Sequence, residues 1–151
     1  MNKLALLIST CLGLGYAPKG GGTLAAIACC MLCYFTGRFN NLYAHVLLPA
    51  TMLLMAAGVW SSGRMERKWG KDNYRIVIDE VVGMCCTLLF IPVRWPYVLT
   101  GLVLFRFFDI AKPLYIRRME ELKGGWGVMM DDVLAGVYSN LILQVLVRLT
   151  I

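Results

Sequence analysis

Apolar residues in this chain come in unbroken runs, without the two-residue alternation of a half-buried strand. Five such runs follow an early glycine cluster: Thr23–Phe35, Leu42–Trp60, Ile76–Ile91, Pro96–Phe108 and Val133–Ile151. Each is bounded by charge or by helix punctuation. Leu42–Trp60 has the ~20 residues needed to cross a bilayer. The shorter runs can thin the bilayer locally or extend through their polar ends. An open sheet cannot exist in lipid, and the pattern lacks a barrel's alternation, so the runs predict helices. Leu4–Leu14 is too short to span comfortably and reads as a re-entrant or interfacial helix. Asn2-Lys3 before it resembles a signal-peptide start. No small-x-small cleavage site follows ahead of Gly20-Gly21-Gly22, so the segment is read as part of the mature fold. The expected architecture is an all-α integral membrane bundle: about five transmembrane helices plus the short N-terminal one, forming one membrane-embedded domain over residues 1–151.

Composition agrees. The chain is 59% apolar and 16% charged, against roughly 45–50% and 25% in soluble domains. A soluble particle of 151 residues could not hide so much apolar side chain, and the same figures exclude disorder and a disulfide-stapled secreted fold. The net charge of +6 would point to nucleic acid in a soluble protein. Here the cations lie between apolar runs, where they act as topology determinants facing anionic headgroups, and no nucleic-acid partner is expected. Arg64, Arg67, Lys68, Lys71 and Arg75 form one basic stretch, and Arg106, Lys112, Arg117, Arg118 and Lys123 another. The turns between, Gly37–Asn41 and Pro92–Trp95, hold Arg38 and Arg94 alone. Alternating spans put both rich stretches on one side, the expected cytoplasmic side.

The same alternation gathers five carboxylates at that face. Asp79-Glu80 opens the third run, Asp109 closes the fourth and Asp131-Asp132 opens the fifth. Acids in a first helical turn often merely cap free N–H groups and meet the dipole, and Asp79, Glu80, Asp131 and Asp132 are all expected in such positions. Asp109 at a helix C-terminus is not explained that way, and two acidic doublets beside it favour a site. An intramembrane anion normally faces the bundle interior and has a partner. An all-oxygen cluster suits a hard cation, Mg²⁺ before Zn²⁺, and Arg106 and Lys112 flank Asp109.

Two glycine-rich turns add a second clue. Lys19-Gly20-Gly21-Gly22-Thr23 and Gly124-Gly125-Trp126-Gly127 each precede a predicted helix, where free N–H groups can receive phosphate. Neither matches a nucleotide P-loop, and such turns are more often only turns. Six cysteines all fall in apolar runs. Cys30/Cys33 is formally C-x-x-C, but with one histidine and no second pair, zinc is not expected and packing is. His45 lies toward the far end of its span, which excludes phospho-histidine chemistry and a Ser-His-Asp device at the acidic face.

Three stretches in order resemble the phosphatidylglycerophosphatase A family of bacterial membrane lipid phosphatases. They are Val77-Ile78-Asp79-Glu80-Val81-Val82-Gly83, then Phe105 through Pro113 (FRFFDIAKP), then Gly124 through Gly136 (GGWGVMMDDVLAG). The resemblance covers about Leu12–Val137. It implies Mg²⁺-dependent removal of the terminal phosphate of phosphatidylglycerophosphate, giving phosphatidylglycerol. It also implies a multi-pass protein of the bacterial inner membrane with its active site at the cytoplasmic face. By resemblance, Asp79, Glu80, Asp109, Asp131 and Asp132 are catalytic and metal carboxylates, Arg106 and Lys112 contact phosphate, and Lys19, Gly22 and Thr23 contact substrate. The sequence departs from the family in a shorter first motif, Pro18–Ala26, and in Tyr115 where a second proline is usual.

Two other classes compete. An ion-coupled carrier would want acids near the midplane and polar residues continuing across; here the acids sit at one end and the far half is apolar. A non-catalytic lipid-binding subunit would bind the lipid without hydrolysing it. A CDP-alcohol phosphotransferase is set aside because its D-G-x-x-A-R…D-x-x-x-D pattern is absent.

Overall fold

The computed structural model describes residues 2–38, 43–71 and 73–150, and every element in them is helical. Phe39–Asn41 of one predicted turn, and the run ends Leu42 and Ile151, lie outside the described residues. The helices are α1 (Lys3–Ser9), α2 (Gly21–Arg38), α3 (Tyr43–Trp69), α4 (Ile78–Leu88), α5 (Trp95–Ala111), α6 (Ile116–Met119) and α7 (Gly125–Thr150), with a 3-10 turn at Leu14–Tyr16.

Five of these are the predicted apolar runs, with altered ends. Two, His45–Trp69 and Gly125–Thr150, are long and apolar enough to cross a membrane by length and composition. The other three are shorter, and α4 stops after 11 residues. Its end is set locally: Phe90 adopts a left-handed backbone (φ 60°), and Pro92 follows, unable to continue a helix. The N-terminal segment is a seven-residue helix that doubles back through left-handed Cys11, Leu12 and Gly13. The Val77 N–H then donates to the Ser9 carbonyl (2.9 Å). Ala5 of α1 is fully buried in a cluster with Met65, Ile78, Val82 and Met129, so α1 is part of the core.

The long helix α7 packs against α3, α4 and α5, while α2 leans on α4 and barely touches α3. A second core cluster, with Phe105, Met84, Leu88 and Leu143, joins α4, α5 and α7. Much of the outer surface stays apolar: Leu53, Ile110 and Leu149 are 73%, 71% and 78% exposed. Such an extensive apolar exterior is foreign to a water-soluble monomer.

Glycines set how closely the helices approach. A Cβ on Gly136 would strike the Gly83 carbonyl oxygen, and one on Gly83 would lie 2.7 Å from the Asp132 carbonyl oxygen. The backbones of α4 and α7 therefore touch. Gly125 meets Val59 and Gly63 of α3 in the same manner. Beyond the crossing, the Asn140 side chain donates to the carbonyls of Thr87 and Leu89 (both 2.8 Å). It thereby satisfies groups that the end of α4 leaves without helical partners.

Candidate active site

Asp79 and Glu80 occupy the first turn of α4, one turn before Gly83. Asp131 and Asp132 stand one turn before Gly136, in the second turn of α7, because α7 already starts at Gly125. The expectation that this second doublet opens its helix is thus corrected: Gly125 and Gly127 lie in the first turn. The α4–α7 contact brings the two doublets together. Oxygens of Asp79, Glu80 and Asp132 all lie within 4.8 Å of one another.

A cavity of about 300 Å³ opens beside them, lined by Asp79, Glu80, Asp109, Lys112, Asp131 and Asp132, with Asn73, Tyr74, Ile76, Glu120 and Val128 completing the wall. Asp109 arrives from the last turn of α5. Lys112 caps that helix in a left-handed conformation (φ 45°, ψ 50°), a cost for a residue with a Cβ. Its ammonium pairs with Glu120 and donates to Asp131 Oδ2 at 2.7 Å. Burial works against that charge, but the hydrogen bonds to Asp131 and Glu120 outweigh it and hold the Lys112 pKa above its ordinary value. The group is a fixed cation at neutral pH.

Six carboxylates thus face Lys112, with Arg106 behind them paired to Asp109. Asp79 Oδ1, Glu80 Oε2 and Asp131 Oδ1 are buried without a hydrogen-bond partner. Buried carboxylate oxygens are normally satisfied, and like charges held this close repel one another. Asp79 and Glu80 belong both to the converging set and to the unpartnered one, and carboxylate oxygens with no nitrogen or sulfur among them are the donors a hard divalent cation takes.

The remaining predicted residues fall elsewhere. Arg106 braces Asp109 from the same helix and is not part of the cavity wall. Lys19 is exposed in the turn before α2, and neither it nor Thr23 joins the wall. Gly22 has a steric role: a side chain there would collide with the Glu80 carboxyl. Glu120, Asn73 and Tyr74 are additions. Glu120 lies eight residues beyond Lys112, across a loop, and no helical spacing signals that pairing. His45 is exposed at the opposite end of α3. The cysteine geometry also differs from the formal motif: Cys29, not Cys30, groups with Cys33 and Cys85, its sulfur lying 4.0 and 3.5 Å from theirs.

Fold and site together define a helical, apolar-surfaced protein with a pocket of clustered carboxylates beside a lysine. The chain belongs to the phosphatidylglycerophosphatase A family, whose model matches residues 7–147, and is accordingly an enzyme of the phosphatase class. It is 34% identical to phosphatidylglycerophosphatase A of Haemophilus influenzae (94% of this chain, 91% of that protein). It is 35% identical to phosphatidylglycerophosphatase A of Escherichia coli (88% and 77%). A Bacteroides thetaiotaomicron protein provisionally named a phosphatidylinositol-3-phosphatase is 43% identical (94% and 92%). No solved structure matches the chain.

Proposed function

We propose that the chain is a Mg²⁺-dependent phosphatidylglycerophosphatase that removes the terminal phosphate of phosphatidylglycerophosphate. On this reading it is a multi-pass inner-membrane protein of about five spans, with the pocket at headgroup depth on the cytoplasmic side. The observation that carries the reading is the set of converging oxygens of Asp79, Glu80 and Asp132, two of these groups bearing buried, unpartnered atoms, with Lys112 on the same wall. Family membership supports the reaction class. Basic residues at the ends of α3 and α5, close to the pocket, support the cytoplasmic placement.

Asp79, Glu80 and Asp132 would hold the cation, which supplies Lewis-acid charge against phosphoryl oxygens. Lys112 faces the same phosphate as a fixed positive charge, exchanging part of its bonding to Glu120 for the incoming anion. Asp131 is oriented by Lys112 through Oδ2, which leaves Oδ1 open to accept a proton from the attacking water. As water adds to phosphorus the P–O bond to glycerol breaks, and the proton on Asp131 passes to the departing oxygen. Arg106 acts through Asp109, holding it at the cavity edge.

The name of the Bacteroides relative favours a second substrate reading, a phosphomonoester on an inositol headgroup, served by the same pocket. One assay separates them: phosphate release by purified protein from phosphatidylglycerophosphate and from phosphatidylinositol 3-phosphate, with Mg²⁺ or with EDTA. Mg²⁺-dependent release from the first at the higher kcat/KM is expected. Preference for the inositol lipid would transfer the substrate, and binding without release from either would leave a lipid-binding subunit.

A further inference from the structure

Beside the polar pocket lies a larger cavity, of about 760 Å³, walled almost wholly by apolar side chains of α1, α2, α3 and α4. Its volume falls within the ~300–1,000 Å³ of ligand sites. It exists because α2 and α3 hardly touch, leaving a slot whose sides are small at Ala28 and Ala50 and larger at Leu32 and Val46. We propose that this groove seats one acyl chain of the lipid whose phosphate occupies the acidic pocket, and so makes the enzyme select for chain length.

The inference rests on the lipid-phosphatase reading above and on the adjacency of the two cavities along α4. Ile78 and Val81 of α4 line the groove, whereas Asp79 and Glu80 between them line the polar pocket. The Glu80 carboxyl lies against Gly22, in the first turn of the helix forming the opposite wall. A headgroup held by the carboxylates therefore has its ester end at the groove's mouth. From there the lining runs along α2 from Ala25 to Thr36, roughly 16 Å at ~1.5 Å per residue, about half of a ~30 Å hydrocarbon core. That is the depth one leaflet's chain must descend. A second copy of this protein would not need a slot that borders the acids.

The test uses the full-length protein in detergent micelles. First, phosphatidylglycerophosphate carrying a diazirine on one acyl chain is photolysed on it, with and without excess unlabelled lipid, and the labelled peptides are mapped. Competed labelling confined to α2 and the facing part of α3 is expected. Second, Ala28→Trp and Ala50→Trp are compared with Val103→Trp on the exposed outer side of α5, using dioleoyl and dihexanoyl substrates. The groove variants should raise the ratio of dioleoyl to dihexanoyl KM by about tenfold, the worth of roughly two buried methylenes, and Val103→Trp should not. Label spread equally over α5 and α7, or an equal ratio change in Val103→Trp, overturns the groove. So does a dimer that Ala28→Trp abolishes while labelling stays as it was. If the wild type releases no phosphate from either lipid yet labelling stays confined and competed, the groove stands and the proposed reaction falls.

Discussion

The carbonyl oxygen of Gly83 fills the space where Gly136 would carry a side chain, and this single contact decides how close two acidic doublets come. Asp79 and Asp132 each stand four residues before one of these glycines, so the acids share a level one turn below the crossing. Gly136→Ala must push α4 from α7, because the obstacle is backbone that no rotamer change can move. Overpacking of this kind costs about 1–3 kcal/mol, and the carboxylates separate with it. Activity should fall far more than for Gly101→Ala, whose Cβ would meet only side-chain atoms at 3.1–3.3 Å. Phosphate release and thermal midpoints of both variants, measured side by side, check this; equal effects would deny the crossing its special role.

The carboxylates themselves make a prediction in two directions. Asp132→Asn removes one carboxylate from a crowded, buried group of acids, so without metal the variant should be at least as stable as wild type. Its phosphate release should drop by ~10²-fold or more. Thermal unfolding in EDTA read beside turnover in Mg²⁺ distinguishes this from simple misfolding, which would lower both.

The helical nature of each apolar run was legible in the sequence because unbroken hydrophobicity, with acids only at the ends, leaves few alternatives. That Asp79, Asp109 and Asp131 gather at one end was legible from their places at the ends of successive apolar runs, and all three line the cavity. Other features depend on contacts that no periodicity encodes. The first-turn position expected for Asp131-Asp132 failed because glycines, poor helix formers, start α7 where close packing on Val59 and Gly63 of α3 overrides propensity. Resemblance implies substrate contacts for Lys19, Gly22 and Thr23 around a glycine turn, and neither Lys19 nor Thr23 lines the cavity. The structure uses that turn to make room for Glu80, which only the packing of α2 on α4 reveals.

Binding of Mg²⁺ should be visible without turnover. A ligand that binds only the folded state raises its stability, by ~2.7 kcal/mol at a hundred times Kd. Wild-type protein in EDTA should therefore show a lower thermal midpoint than in millimolar Mg²⁺. The shift should vanish in Glu80→Gln, whose carboxylate is one of the three converging groups, and persist in Arg117→Ala, an exposed side chain of α6. A midpoint indifferent to Mg²⁺ in the wild type would count against the cation site.

Lys112 bonds to Glu120 on one side and Asp131 on the other, so Lys112→Ala should act through both. The lost hydrogen bonds to charged groups are worth about 1.5–3 kcal/mol each in partly buried settings, and Asp131 loses the partner that orients it. Catalysis should suffer beyond any stability loss: kcat and kcat/KM should both fall, by at least ~10-fold. Lys112→Arg should restore the thermal midpoint but only part of the rate, because a planar fork cannot reproduce the ammonium's place between two carboxylates. A rise in KM with kcat intact would instead mean that Lys112 only gathers substrate, and Asp131 would need another orienting group.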